Sequence, residues 1–381
     1  MTIFVMTAEQ EAIRETATAF AAEYLEPGAV EWDRESHFPV DVLRKAAELG
    51  MGGINVREEA GGSGLSRSDA VLVFEALAGG CPSISAYLSI HNMVATVIDT
   101  HGDRRQRDRW VGRLCRMDDL ASYCLTEPGA GSDAAAIRTR AERAGDAYVL
   151  DGTKQFISGA GTSQTYLVMA RTSDSGARGI TAFIVDRDAD GLSFGAEERK
   201  MGWKAQPTRQ VIMDRVVVPE GNRIGAEGEG FKIAMKALNA GRINIAACSL
   251  GGARSALERT LSHLAAREAF GSRLLDMPTI QSQLAEMATS LEASRALLQR
   301  SATALDQGAA NAVDLCAMAK GFCTDAGFAI ANQALQLHGG YGYLSDYGLE
   351  KIVRDLRVHQ ILEGTNEIMR LIVGRGMASR V

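Results

Sequence analysis

Three segments of the chain carry residue types that could do chemistry. The first is Tyr123-Cys124-Leu125-Thr126-Glu127-Pro128-Gly129-Ala130-Gly131-Ser132-Asp133, with hydroxyls at Thr126 and Ser132 around a turn. Exposed backbone N–H groups and small hydroxyls suit a planar, hydrogen-bonding ring or a diphosphate. The same residues also read as an ordinary Pro-Gly turn whose hydroxyls bond to local backbone. The second segment is Gln336-Leu337-His338-Gly339-Gly340-Tyr341-Gly342-Tyr343, at the end of a helical pattern. On its own it reads as a helix C-cap with aromatic packing. The third runs from Val358 to Ile368, where Glu363 follows the apolar pair Ile361-Leu362 and precedes Gly364-Thr365 and a helix. A carboxylate held against apolar surroundings has a raised pKa and can serve as a base. The competing reading is an acid near a helix N-terminus, stabilised by the dipole.

Other chemistries lack their motifs. Gly159-Ala160-Gly161-Thr162-Ser163-Gln164 starts like a dinucleotide fingerprint but lacks its last glycine and lies between strands. Gly225-Ala226-Glu227-Gly228-Glu229-Gly230 has no Gly-Lys-Ser/Thr after it, and no Gly-x-Ser-x-Gly elbow occurs. The cysteines (Cys81, Cys115, Cys124, Cys248, Cys316, Cys323) form no Cys-x-x-Cys pair, and the histidines lack metal-ligand spacing, so no metal is expected. Scattered cysteines point to buried thiols in a reducing compartment. A net charge of -6 argues against nucleic-acid binding. No apolar run approaches a membrane span. Met1 to Met6 lacks a basic leader and runs into Glu9, Glu11 and Glu15, so the expected location is cytoplasmic. The 40 glycines among 381 residues, beside only 7 prolines, indicate tight turns and close backbone approaches in a folded chain.

The elements that must position these segments fall into an α+β arrangement of three domains. Residues 1–118 read as an N-terminal helical domain. Thr7 caps a helix with Ile13, Ala17, Phe20 and Tyr24 on one face, and further helices span Val40–Leu49, Ser68–Ala78 and Ile84–Thr100. The arginines of 104–113 alternate with acids and read as a solvated face or subunit contact. Residues 119–229 read as a middle β-barrel or sandwich domain, with a hairpin turn expected at Asp151-Gly152 and strands at 165–170, 180–185 and 210–218. Residues 230–381 read as a C-terminal helical bundle of long helices at 231–270, 278–305 and 311–337. Helices of that length imply packing between subunits.

In this order, around a β domain flanked by helices, the three segments resemble the acyl-CoA dehydrogenase family over essentially the whole chain. Leu125–Asp133 and Gln336–Tyr343 resemble its two signature regions. Phe156–Gly161, Gln206–Arg209, Gly241–Ala246 and His359–Glu367 look closest to the branch that oxidises isobutyryl-CoA, a branched thioester of valine catabolism, to methacrylyl-CoA. The resemblance implies a flavoprotein oxidoreductase in which a carboxylate removes the α-proton while the β-hydrogen leaves as hydride to N5 of FAD. It assigns the base to Glu363, whose backbone N–H would also polarise the thioester oxygen. Some relatives carry the base on the helix near Gly241, but neither Gly241 nor Arg242 supplies a carboxylate.

The resemblance assigns cofactor contacts to Tyr123, Leu125, Thr126, Gly131 and Ser132, and to Phe156, Ile157 and Ser158 on the strand beside them. Arg267 with Phe270 resembles a segment reaching the FAD of a neighbouring subunit. Gln336, Gly339 and Gly340 match the diphosphate and adenine side, and Thr365 and Glu367 the stretch after the base. Substrate contacts map to Ser132, Asn239, Arg242 and Arg375. Pro278 stands where relatives commonly carry Gln, leaving Gln281 or Gln283 as the nearest side chains to replace that contact. A homotetramer passing electrons to an electron-transfer flavoprotein is implied, in bacterial cytoplasm or, for a mature eukaryotic chain, the mitochondrial matrix. Alternative readings within the fold are a 2-methylbutyryl-CoA or short straight-chain dehydrogenase, an oxidase using O₂, and a catalytically inert scaffold.

Overall fold

Thr7 opens helix α1 (Ala8–Phe20) with a capping box: its hydroxyl accepts from the Gln10 N–H, and the Gln10 side chain accepts from the Thr7 N–H. The computed structural model describes residues 6–379. Residues 1–5, most of the segment read above for leader character, lie outside them. Helices α2 (Ala29–Glu35) and α3 (Val40–Glu48) follow, the latter ending where Gly50 takes φ +79°. Helices α4 (Arg67–Gly80) and α5 (Pro82–His101) form the centre of this part. Helix α4 does not end at Ala78 as expected but runs on through Gly79 and Gly80. Their role is close packing: a Cβ on Gly80 would sit 2.8 Å from the Ala21 carbonyl oxygen. Short helices α6 (Arg104–Gln106) and α7 (Gly112–Cys115) carry the arginine cluster. Arg109 pairs with Asp186 at 2.7 Å and Arg113 with Asp119 at 2.8 Å.

The middle of the chain forms one eight-stranded sheet. Strands β1 (Ala121–Cys124), β2 (Arg140–Ala144), β3 (Ala147–Ser158), β4 (Thr165–Arg171), β5 (Ile180–Asp186), β6 (Leu192–Phe194), β7 (Thr208–Pro219) and β8 (Arg223–Ile224) lie in the order β6-β7-β3-β2-β4-β5-β8. Strand β1 runs parallel to β4 off that path. Alternation along β4 divides its side chains between two cores. Tyr166, Val168 and Ala170 pack with Phe183 and Val216 inside the sheet, while Leu167 and Met169 pack with Ile98, Trp110 and Ile233 toward the helices.

The expected hairpin at Asp151-Gly152 is corrected by this sheet. Strand β3 passes straight through it, and the turn lies at Gly145-Asp146, where Ala144 pairs with Ala147. Gly152 instead marks a register shift against β7; its φ is +146°, and a Cβ there would lie 2.6 Å from Thr139 Oγ1.

The last part is built on α8 (Gly230–Ala266), which packs against α4, α5, α9 (Pro278–Asp306) and α10 (Ala312–Leu337). Helix α8 stops four residues before the expected Phe270. Phe270 and Gly271 adopt φ of 53° and 81° to form the two-residue turn between β9 (Glu268–Ala269) and β10 (Ser272–Arg273). Pro278 occupies the first turn of α9, where its missing N–H has no consequence. Helices α11 (Leu349–Arg357) and α12 (Asn366–Ala378) close the bundle. Among the described residues no helix is long and apolar enough to cross a membrane and no metal-ligand cluster occurs. All six cysteines are free and buried.

Candidate active site

Glu363 sits on the loop between α11 and α12, and three separate helices meet around it. Its backbone is in the left-handed region (φ 56°), followed by Gly364 at 89°. The carboxylate Oε2 is buried and has no hydrogen-bond partner. Gly241 of α8 makes the space it occupies: a Cβ there would lie 2.6–2.8 Å from the Glu363 carboxyl atoms. Burial pushes the Glu363 carboxyl up to about 7, against the opposing pull of Arg242 and Lys320. The choice left open by the residues alone therefore falls to a buried carboxyl, not an exposed acid at a helix start. That second role belongs to Glu367, which is exposed and paired with Arg370, while Thr365 caps α12 by accepting from the Ile368 N–H.

The loop is fastened on both sides. Arg242 Nε donates to the Glu363 carbonyl at 3.3 Å and its Nη1 to Asn239 Oδ1 at 2.8 Å, so Arg242 reaches the loop and Asn239 braces Arg242. Ahead of it, His359 is buried between two partners: Nε2 accepts from the Trp203 indole N–H at 3.2 Å, so Nδ1 carries the proton donated to Ser249 Oγ at 2.7 Å. Burial pushes this imidazole down to about 3, keeping it neutral. The N–H groups of Glu363 and Gly364 donate to no described residue.

Tyr123 on β1 brings the first segment to the same place. Its hydroxyl is buried and unpartnered, and burial together with the nearby Glu363 charge pushes its pKa up. Beyond it, Glu127 and Ala130 exchange both backbone hydrogen bonds at 3.1 Å, so the Pro-Gly turn is present. The hydroxyls of Thr126 and Ser132 nonetheless make none of the local bonds expected of a plain turn. Phe156 is 64% exposed with φ 59° at the bulge of β3, and Ser158 Oγ accepts from Gln206 Nε2 at 3.3 Å. Ile157, by contrast, turns its side chain into the sheet core, which leaves only its backbone available to a ligand.

What holds this loop is a pair that the sequence reading missed. Lys154 of β3, fully buried, donates from Nζ to Glu127 at 2.7 Å and to the Leu125 carbonyl at 3.1 Å. Glu127 also accepts from the N–H groups of Arg138 and Thr139 at 2.6 and 2.9 Å. Burial opposes ionisation of Glu127, but the Lys154 ammonium and these donors outweigh it and hold the carboxyl below its usual range. The signal was a lysine at an inward-facing position of a strand.

Gly131 is expected to serve a ligand more than the fold. A Cβ at Gly129 or Gly131 meets nothing within 4 Å, and neither has positive φ. Gly131→Ala should therefore change unliganded stability by less than about 0.5 kcal/mol while weakening uptake of FAD. Thermal unfolding without ligand and a flavin titration separate the two; an equal loss in both would assign the glycine to the fold. Gly364 differs, because its φ of 89° is a conformation that the loop itself requires and that other residues rarely adopt.

The remaining assigned residues lie elsewhere. Arg267 stands beside the Tyr341 ring (5.8 Å), and Phe270 is 97% exposed at the tip of its hairpin. Gln336, Gly339 and Gly340 are exposed where α10 ends, next to the stacked His263 and His338. From Gly241 to Arg267 along α8 is roughly 40 Å at 1.5 Å per residue. These residues therefore lie far from the Glu363 loop of the same chain. Arg375 is exposed on α12, about 14 Å along the helix from its start, and is not drawn into the Glu363 cluster. Two clefts of ≈ 550 and ≈ 700 Å³ also lie away from Glu363, one under Pro128-Gly129 and one beside His263 and His338. Among the buried side-chain atoms without a partner, Glu363 Oε2 and the Tyr123 hydroxyl fall in this cluster.

Comparison with known proteins covers the whole chain. Residues 7–118, 122–216 and 228–378 match the N-terminal, middle and C-terminal domain models of acyl-CoA dehydrogenase. Over 372 residues the chain is 52% identical to the mitochondrial isobutyryl-CoA dehydrogenase of Bos taurus, covering 98% of this chain and 89% of that protein. The Dictyostelium discoideum protein of the same name is 50% identical over 374 residues, covering 98% and 90%. The structure of butyryl-CoA dehydrogenase from Megasphaera elsdenii superposes with a TM-score of 0.96 at 33% identity, covering 99% of this chain and 100% of that one.

Proposed function

This chain belongs to the acyl-CoA dehydrogenase family, and from that premise we propose that it oxidises isobutyryl-CoA to methacrylyl-CoA, with Glu363 as the base and FAD as the cofactor. The observation that carries the reading is the buried, unpartnered Glu363 carboxylate in the space left by Gly241. FAD, when bound, supplies the acceptor for the hydride from the β-carbon. The unpartnered Tyr123 hydroxyl, the free hydroxyls of Thr126 and Ser132, and the open space at Gly129 and Gly131 fit such a group.

The chain's own residues account for the proton transfer. Deprotonated Glu363 takes the α-proton, and the free N–H groups of Glu363 and Gly364 can donate to the thioester oxygen as charge builds there. Arg242 holds the loop from α8 and sets a positive charge behind the carboxylate. Phe156 and Ser158 would lie beside the flavin. Arg267, Phe270, Gln336, Gly339 and Gly340 would serve the cofactor of a second copy, which the roughly 40 Å of α8 between the two regions and the exposure of Phe270 both favour. That arrangement is a homotetramer, with an electron-transfer flavoprotein as the electron acceptor. Six free thiols fit a reducing compartment.

Anaerobic bleaching of bound flavin by a panel of acyl-CoA thioesters tests the substrate. Isobutyryl-CoA should bleach fastest, with 2-methylbutyryl- and butyryl-CoA slower. Fastest bleaching by a long straight chain would overturn the assignment, and peroxide release under air would favour an oxidase. Because a carboxyl pushed up to about 7 works only when ionised, the bleaching rate should rise with pH and level off above a midpoint near 7. A flat profile from pH 5.5 to 8.5 would contradict it.

A further inference from the structure

Lys320 lies in the middle of α10, among Cys316, Ala317, Ala319 and Cys323, with no exposed surface. A lysine in such surroundings needs partners for its ammonium group. Nζ donates to the Gly364 carbonyl at 2.7 Å and to Asn366 Oδ1 at 2.8 Å. Asn366 is itself clamped, donating from Nδ2 to Thr324 Oγ1 at 2.9 Å and to Asp325 Oδ1 at 2.7 Å. The carbonyl that Lys320 grips belongs to the second residue of a two-residue left-handed turn, Glu363-Gly364, whose first carbonyl is held by Arg242.

We propose that Lys320 is a positioning residue for the proton-abstracting carboxylate: it fixes the Glu363–Gly364 turn through the Gly364 carbonyl, and its charge sets the pH at which Glu363 ionises. The inference rests on Glu363 being the base.

The groups that face the pair are named readily. Arg242 approaches Glu363 from α8 and Tyr123 from β1, while Asp325 of α10 and Glu367 of α12 act on Lys320. Burial pulls Lys320 down to about 7, with Glu363 opposing. Removing the cation leaves Glu363 facing Arg242 alone. A nearby opposite charge lowers a carboxyl pKa by about one unit or more, and the pull of Lys320 on Glu363 is of that sign, so its loss moves the midpoint toward higher pH.

The test uses FAD-loaded Lys320→Gln and Lys320→Met beside the parent protein. Gln keeps a donor for the Gly364 carbonyl without the charge; Met keeps neither. Two readouts are followed from pH 6 to 9: anaerobic bleaching by isobutyryl-CoA, and exchange of the α-protons of acetyl-CoA, which has no β-hydrogen, with D₂O. Both variants should show a midpoint about one unit higher in each readout, and a rate at pH 7 about five-fold lower. Gln should recover the parent's limiting rate at pH 9, whereas Met should stay below it because the turn is loose. Parent-like midpoints in both variants would overturn the proposal. Failure of both to fold with flavin bound would make Lys320 a folding residue and overturn it equally. A parent protein that neither bleaches nor exchanges would instead sink the role of Glu363 as base, and this inference with it.

Discussion

Glu363→Gln should bind FAD as the parent does and yet be reduced by isobutyryl-CoA roughly 10²–10⁴-fold more slowly, the range that a positioned base contributes. The amide fills the same space beside Gly241 but cannot accept the α-proton. Glu363→Asp should also be slow, because shortening the side chain withdraws the carboxylate by about an ångström, a displacement able to cost about 10²-fold. The same substitution carries a stability signature. Burial raises the Glu363 carboxyl from an ordinary value near 4.5 to about 7 in the fold, so its contribution favours the fold most below about 4.5 and is lost as pH rises through about 7. Without ligand, the Gln variant should therefore melt above the parent at pH 8, with the gap closing toward pH 5. Unimpaired bleaching by Glu363→Gln would remove it from the mechanism. A Gln variant less stable than the parent at pH 8 would show that its carboxylate is not buried at a cost.

Lys154→Met should be the most damaging single change in the β domain. It leaves Glu127 buried with a negative charge held only by two backbone N–H groups, and breaking a buried pair in this way typically costs about 3–5 kcal/mol. For a domain of this size that corresponds to a fall in Tm of roughly 10 °C. Loss of the Nζ bond to the Leu125 carbonyl also frees the segment that carries Leu125 and Thr126, so flavin should be lost more readily than from the parent. Adding Glu127→Gln should recover part of the stability, because the uncompensated charge is gone, without restoring flavin affinity. Scanning calorimetry and flavin release on dilution follow the two effects separately. A Lys154→Met protein that melts within 2 °C of the parent, a limit set by that expected shift, would mean the pair contributes little.

The sequence by itself determined the order of the elements and the segments that matter. Capping at Thr7, the long 3.6-residue periodicities after Gly230 and the apolar run of β4 are local signals, and each produced its element. Local reading failed where glycine was taken for punctuation. Gly79-Gly80 and Gly152 looked like stops or turns, but they lie inside elements at points where another part of the chain comes too close for a Cβ. The opposite failure occurred at Phe270, where a bulky residue took the left-handed φ that chain turning demanded.

Apart from the resemblance, the residues around Glu363 left two surroundings open, and only the tertiary structure shows a buried carboxyl and not an exposed acid at a helix start. A pKa depends on what surrounds a group in space, and those surroundings come from far along the chain. Arg242 lies 121 residues before Glu363, Lys320 reaches Gly364 across 44, and Gly241 supplies nothing but room. Lys154 and Lys320 were ordinary charged letters in sequence; burial gave each a single set of partners, because an ammonium group far from water has no other way to be satisfied. The same helix that carries Gly241 to Glu363 places Arg267 about 40 Å away from it, a separation that only the length of α8 decides.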